Sequence, residues 1–304
     1  MSDSQVTADA RQRSLTGGIY AVVAFTAWAT LVHYWKMLGQ VPALEVMLNR
    51  AVWSVVFILG LLALTGRLDG LARELREPRR LAVFAVTAAL LAGNWYLFIW
   101  SVQAGRALEA SLGYYINPLV NVLLGVIVLN EKLSRPRQAA VALAALGVTI
   151  LTVHLGVPPW IALLLAGSFG LYGLLRKMAP ADPLVGFAIE SLAMAVVALP
   201  WLAALELQGQ GSLFRLGWQT DALLLLAGVV TALPLIWFNA AAKRLTLSSL
   251  GLFQYIAPTG MFVIAVFAYG ETFTTYHLVT FGLIWAALVL VAIESIRTMR
   301  RQNQ

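Results

Sequence analysis

Arg50 interrupts an apolar run, Leu44–Leu64, six residues from its start. At about 1.5 Å per helical residue it lies roughly 10 Å into that run. An arginine at the centre of a lipid-facing helix costs about 2.5–3.5 kcal/mol, so it needs a watery cavity or a partner. Its planar fork suits a carboxylate or phosphate on a solute. Snorkelling to a nearby interface is the plainer alternative. Glu190 follows 140 residues later in a second apolar run. A carboxylate there that exchanges protons would couple the protein to a proton gradient. As a fixed charge it would instead pair with Arg50 or with backbone.

Polar residues recur elsewhere at helical spacing. Ser111, Tyr114, Asn117, Asn121 and Gly125 are separated by three or four residues, which puts them on one helical face. A second face of the same spacing holds Gly251, Gln254, Pro258, Met261 and Ala265. Asn94, Trp95, Tyr96, Trp100 and Gln103 cluster in one run, and Trp237, Phe238 and Asn239 in another. Such groups offer donors, acceptors and flat faces. They suit the holding of a small solute, although interhelical hydrogen bonds and interfacial aromatic belts use the same residue types. The expected solute contacts are therefore Arg50, Asn94, Trp95, Tyr96, Trp100, Tyr114, Tyr115, Asn117, Asn121, Trp237, Asn239, Gln254 and Tyr255, with Glu190 as a proton carrier.

Bond-making chemistry has little to work with. The chain has no cysteine, which excludes disulfides, thiolate metal sites and a Cys nucleophile. His33, His154 and His277 fall near run ends without ligand-spaced partners. No Walker A sequence is present. The expectation is a non-enzyme with no metal or cofactor, and with no nucleic-acid partner despite a net charge of +7.

The elements that position these residues are apolar throughout. Apolar residues make up 60% of the 304, and charged ones 12%, against about 25% charged in a soluble domain. Ten runs can be drawn: Leu15–Trp35, Leu44–Leu64, Leu81–Gln103, Ala110–Leu129, Gln138–Val153, Trp160–Leu175, Leu184–Leu205, Asp221–Ala242, Leu247–Gly270 and Tyr276–Ile296. Each is near the length of about 20 residues that a membrane-crossing helix requires. Barrel strands would be about ten residues and would alternate apolar with polar. The fold expected is an all-α integral membrane protein of ten transmembrane helices.

Loop charge gives the orientation. With a cytoplasmic N-terminus, the inner segments carry Arg11, Arg13, Arg67, Arg73, Arg76, Arg79, Arg80, Lys132, Arg135, Arg137, Arg176, Lys177, Lys243, Arg244, Arg297, Arg300 and Arg301. Those are seventeen of the 21 Lys and Arg. Lys36, Arg106 and Arg215 fall outside. This asymmetry puts both termini in the cytoplasm.

The chain also repeats itself. Tyr115-Ile116-Asn117-Pro118 is echoed by Tyr255-Ile256-Ala257-Pro258, and Glu131 by Glu271, both 140 residues on. Ser111-Leu112-Gly113 is echoed by Ser249-Leu250-Gly251. Each pair falls in the same ordinal run of its half. Five runs per half is an odd number, so the second half is expected to be inverted. The units are a disordered cytoplasmic tail over 1–14, a first five-helix repeat over 15–155, an inverted second repeat over 156–297 and a cytoplasmic tail over 298–304.

These stretches, together with Asn49-Arg50-Ala51-Val52-Trp53-Ser54, Gly93-Asn94-Trp95 and Gly113-Tyr114-Tyr115, carry a resemblance to a known group. From about Leu15 to Arg297 the chain resembles the drug/metabolite transporter superfamily, and within it the EamA family and its RarD-like permeases. The resemblance implies a permease of a bacterial inner membrane, often an exporter of amino acids, drugs or related metabolites. It supplies no binding residues. The function expected is secondary transport of such solutes by alternating access. A lipid flippase or headgroup-acting enzyme is the alternative. Surrounding lipid, protons and a small solute are the partners expected, for a monomer or homodimer.

Overall fold

The computed structural model describes residues 3–103, 106–156, 160–269 and 275–301. The expectations on Glu271 and on the side chains of Gln103, Ser111, Ala265 and His277 lie outside the described residues, as do those on the C-terminal arginine side chains. Among the described residues the structure is helical, without strands. The helices are α1 (Asp3–Met37), α2 (Ala43–Leu64), the short α3 (Leu68–Glu74), α4 (Pro78–Gln103), α5 (Ala107–Ile127), α6 (Arg135–Leu155), α7 (Trp160–Met178), α8 (Pro183–Leu207), α9 (Trp218–Ala242), α10 (Leu247–Gln254), α11 (Ile256–Tyr269) and α12 (Thr275–Arg301). Helix α1 thus extends back through much of the segment assigned above to an N-terminal tail.

Local chemistry sets several starts. Ser134 accepts from the Arg137 amide ahead of α6, Asp182 from Leu184 ahead of α8, and Thr246 from Ser249 ahead of α10. Each satisfies an amide that has no partner within the helix. Pro136 and Pro183 occupy first-turn positions, where a missing N–H costs nothing.

One expected run is broken. Leu247–Gly270 forms α10 and α11, which meet at Tyr255. Pro258 is the cause. It has no N–H for the Gln254 carbonyl four residues back, and its ring crowds that carbonyl. Pro118 removes the same bond from the Tyr114 carbonyl, yet α5 continues through it.

Among the described residues, eight helices are long and apolar enough to cross a membrane, and Leu112–Ile127 and Leu278–Val291 form shorter apolar helices. Their outward faces expose residues such as Val56, Leu163, Val196, Val197 and Trp201. This is a multi-pass membrane protein.

The packing has an internal order. Helix α2 lies against α8 and α9, α4 against α8 and α7, α1 against α9 and α11, α5 against α7 and α10, and α6 against α12. Exchanging α1 with α7, α2 with α8, α4 with α9, α5 with α10–α11 and α6 with α12 leaves these neighbours unchanged. At the α2–α9 crossing the two backbones approach closely. A Cβ on Gly228 would sit 2.2 Å from the Trp53 carbonyl carbon, so only glycine fits there. Helices α6 and α12 bury Ala140, Ala144, Ile284 and Ala287 against each other, and Thr280 donates to the Gly147 carbonyl.

Candidate functional site

A cavity of about 190 Å³ lies among α1, α2, α4, α5, α7, α9 and α10–α11. Arg50 enters it from α2. Its Nε donates to Thr231 Oγ1 on α9 at 2.9 Å. Its guanidinium carbon lies 4.4 Å from the Trp35 ring centroid and 4.2 Å from that of Trp95. Two indole faces thus hold the cation, each contact contributing about 0.5–2 kcal/mol according to its desolvation. Among the described residues neither terminal nitrogen of Arg50 has a hydrogen-bond or carboxylate partner.

The opposite wall is polar in patches. Tyr114 and Asn117 come from α5 and Gln254 from the end of α10. Asn94 lines the cavity while its amide donates to the Leu165 carbonyl at 2.8 Å and to Ser168 Oγ at 2.9 Å, tying α4 to α7. Phe25, Trp28 and Phe169 complete an aromatic side. Phe238 and Tyr172 pack against these rings, with centroid separations of 5.2 to 6.2 Å.

Beyond that aromatic layer the helices close around a second polar group. Glu190 Oε1 accepts from Thr87 Oγ1 at 2.6 Å and lies 3.5 Å from Arg176 Nε. Glu190 Oε2 accepts from the Tyr172 hydroxyl at 3.4 Å, and Asn239 donates to that hydroxyl at 2.9 Å. Both charged side chains are fully enclosed. Arg176 also donates to the Pro183 carbonyl at 3.1 Å. A Cβ on Gly186 would lie 1.9 Å from Arg176 Nη1, so that glycine makes room for the guanidinium.

Of the residues expected at the site, Arg50, Asn94, Trp95, Tyr114, Asn117 and Gln254 share the cavity. Asn121 lies one turn below Asn117, buried, and donates to Gln254 Oε1 at 2.6 Å. Tyr96 and Trp100 are 53% and 38% exposed and turn away from it; Trp100 packs beside Trp160. Tyr255 donates to the Tyr115 carbonyl and both residues pack toward α6 and α12. Trp237 packs against the main core, and Asn239 belongs to the Glu190 group. Glu190 has Arg176 as its partner, not Arg50. Arg176, counted above as a loop charge, is buried. Sequence reasoning missed Arg176, Thr231 and the cavity role of Trp35. Thr231 is the lone hydroxyl between Asp221 and Asn239, and Arg176 follows Tyr172 by one turn; these were the available signals.

A cavity walled by eight helices, with one cation among its described lining residues and mixed polar and aromatic walls, is what a solute-handling membrane protein would present. Residues 15–153 match the EamA-like transporter family. The chain is 45% identical to an uncharacterised transporter of Vibrio cholerae, over 94% of this chain and 95% of that one. It is 40% identical to Protein RarD of Escherichia coli, over 97% of this chain and 100% of that one. A solved crystal structure 20% identical in sequence superposes with a TM-score of 0.71, over 91% of this chain and 97% of that one, and it shares the fold. The chain belongs to the EamA-like transporter family, among the RarD-like members.

Proposed function

We propose that the chain is a secondary carrier that moves small metabolites across a bacterial inner membrane, with export as its direction. In this reading ten helices cross the bilayer with both termini cytoplasmic, and the two five-helix halves are inverted copies that rock about the cavity. The exchange of halves that preserves every major helix contact supports the duplication. So does the pairing of Arg50 on α2 with Thr231 on α9 against that of Glu190 on α8 with Thr87 on α4. These are corresponding helices, and Arg50 and Glu190 are 140 residues apart.

The observation that carries the reading is the Arg50 guanidinium, sandwiched by indoles and aimed into a cavity walled by both halves. A half-buried cation without a carboxylate partner has lost hydration that nothing in the wall replaces, and a solute carrying negative charge offsets that loss. Glu190 and Arg176 form part of the closed end, and proton exchange at Glu190 would follow the opening of that end. Flux of labelled metabolites into proteoliposomes, with and without a pH gradient, tests the proposal. Saturable flux that responds to the gradient supports proton-coupled carriage. Activity on lipid alone supports the flippase alternative and removes the carrier reading.

A further inference from the structure

The cavity walls say more about charge than the carrier reading requires. Taking the cavity as the solute site, as that reading does, Arg50 is the one charged side chain among the described lining residues. Half-buried among largely apolar walls, an unbalanced charge is still costly, and the flanking indole faces of Trp35 and Trp95 offset only part of that cost. A solute monoanion brings the enclosure to neutrality. A zwitterion leaves it with a net positive charge, and its ammonium finds no carboxylate on the wall. An amine without a carboxylate adds a second cation to the first.

A second feature specifies a further contact with the solute. Asn117 is only 5% exposed and lines the cavity, and its Oδ1 has no hydrogen-bond partner. It sits three residues beyond Tyr114, one turn along α5. A buried acceptor without a donor is unfavourable, and an uncharged hydroxyl or amide N–H on the solute would satisfy it. Trp28 and Phe169 offer ring faces to the same cavity. The volume of about 190 Å³ is far above the roughly 10–15 Å³ that a single water needs on the same measure, which leaves room for a small organic solute.

We infer that the site selects monoanionic aryl carboxylates bearing a neutral hydrogen-bond donor, and that it discriminates against the corresponding α-amino acids and amines. Phenyllactate and phenylalanine make the comparison sharp, because they differ by a hydroxyl against an ammonium on the same carbon. Phenylpropionate lacks both, and phenethylamine lacks the acid.

The test is thermal unfolding of the full chain in nanodiscs at neutral pH, titrated with each of these four compounds. Phenyllactate should give the tightest saturable stabilisation, and phenylalanine should need about tenfold more ligand or higher. Phenethylamine should give none. Asn117→Leu should erase the advantage of phenyllactate over phenylpropionate and keep the preference for acids. Arg50→Gln should erase that preference, and Arg50→Lys, which keeps the charge, should retain it with weaker binding. Phenylalanine binding as tightly as phenyllactate, or no saturable shift with either acid, overturns the inference. Binding is read here without flux. The expected order in a protein that moves nothing would sink the carrier reading alone, and carriage with the opposite order would sink this inference alone.

Discussion

Arg176 Nε and Glu190 Oε1 lie 3.5 Å apart with neither side chain reaching the surface. The pair joins α7 to α8 below the aromatic floor of the cavity. Thr87 brings α4 to the same carboxylate, and Asn239 brings α9 through Tyr172. Four helices therefore converge on one ion pair beneath the cavity.

Glu190→Gln should be strongly destabilising, because it strands a guanidinium in the core; removing one partner of a buried pair costs about 3–5 kcal/mol. Arg176→Met combined with Glu190→Gln should recover much of that loss. Chemical or thermal unfolding of the two single variants and the double variant measures this. A double variant no more stable than Glu190→Gln would show that the pair is not the unit.

Arg50 should be separable from folding. Trp95→Ala removes one indole face at about 0.5–2 kcal/mol and should weaken solute affinity more than it lowers the unfolding temperature. Thr231→Val should act in the same direction, since it removes one hydrogen bond of about 1.5–3 kcal/mol to a charged group. Solute titration of each purified variant, alongside its melting curve, separates the two effects.

Gly228→Ala should force α2 and α9 apart. The new methyl would meet Trp53 backbone at 2.2 Å, and backbone cannot rotate out of the way. Overpacking of this kind costs about 1–3 kcal/mol or more. Loss of both stability and solute binding is expected, because Arg50 and Thr231 are held on the two separated helices. Melting curves that match those of the unsubstituted protein would contradict the close contact.

Lys243 gives a pH signature at the helix ends. Partial burial, with Arg176 and Lys177 close by, pushes its pKa from 10.5 down to about 8, and Asp182 opposes this. Between those two values the unfolded chain binds more protons at this site than the folded one. Stability should then rise with pH through that window, and the penalty should be fully present below it. Lys243→Gln should flatten the rise in a pH series of melting temperatures; an unchanged slope would assign the effect elsewhere.

Much of this architecture is legible in the residues themselves. Apolar length marks the helices, since lipid and backbone hydrogen bonding leave a segment such as Leu184–Leu205 few alternatives. The spacing of Tyr114, Asn117 and Asn121 fixes a common face, although it does not say where the cavity ends. Tyr114 and Asn117 reach open space, whereas Asn121 meets Gln254. Tyr96 and Trp100 show the limit of composition alone: aromatic residues look the same in a cavity wall and at a lipid boundary. The pairing of Glu190 was hidden for a different reason. Arg176 stands next to Lys177 at a helix end, where charge is ordinary, and only the room left by Gly186 lets it fold inward. The break at Tyr255 was implicit in Pro258, but Pro118 in an unbroken helix shows that proline alone does not decide.

A chain without cysteine allows the central claim to be tested with one introduced thiol. Val230 lines the cavity beside Thr231, so Val230→Cys places a reporter inside it. Charged, membrane-impermeant maleimides should label that thiol from the outer face of sealed vesicles, and from the inner face of inverted ones when solute or a proton gradient shifts the carrier. Labelling from a single face under every condition would contradict a cavity that opens to each side in turn.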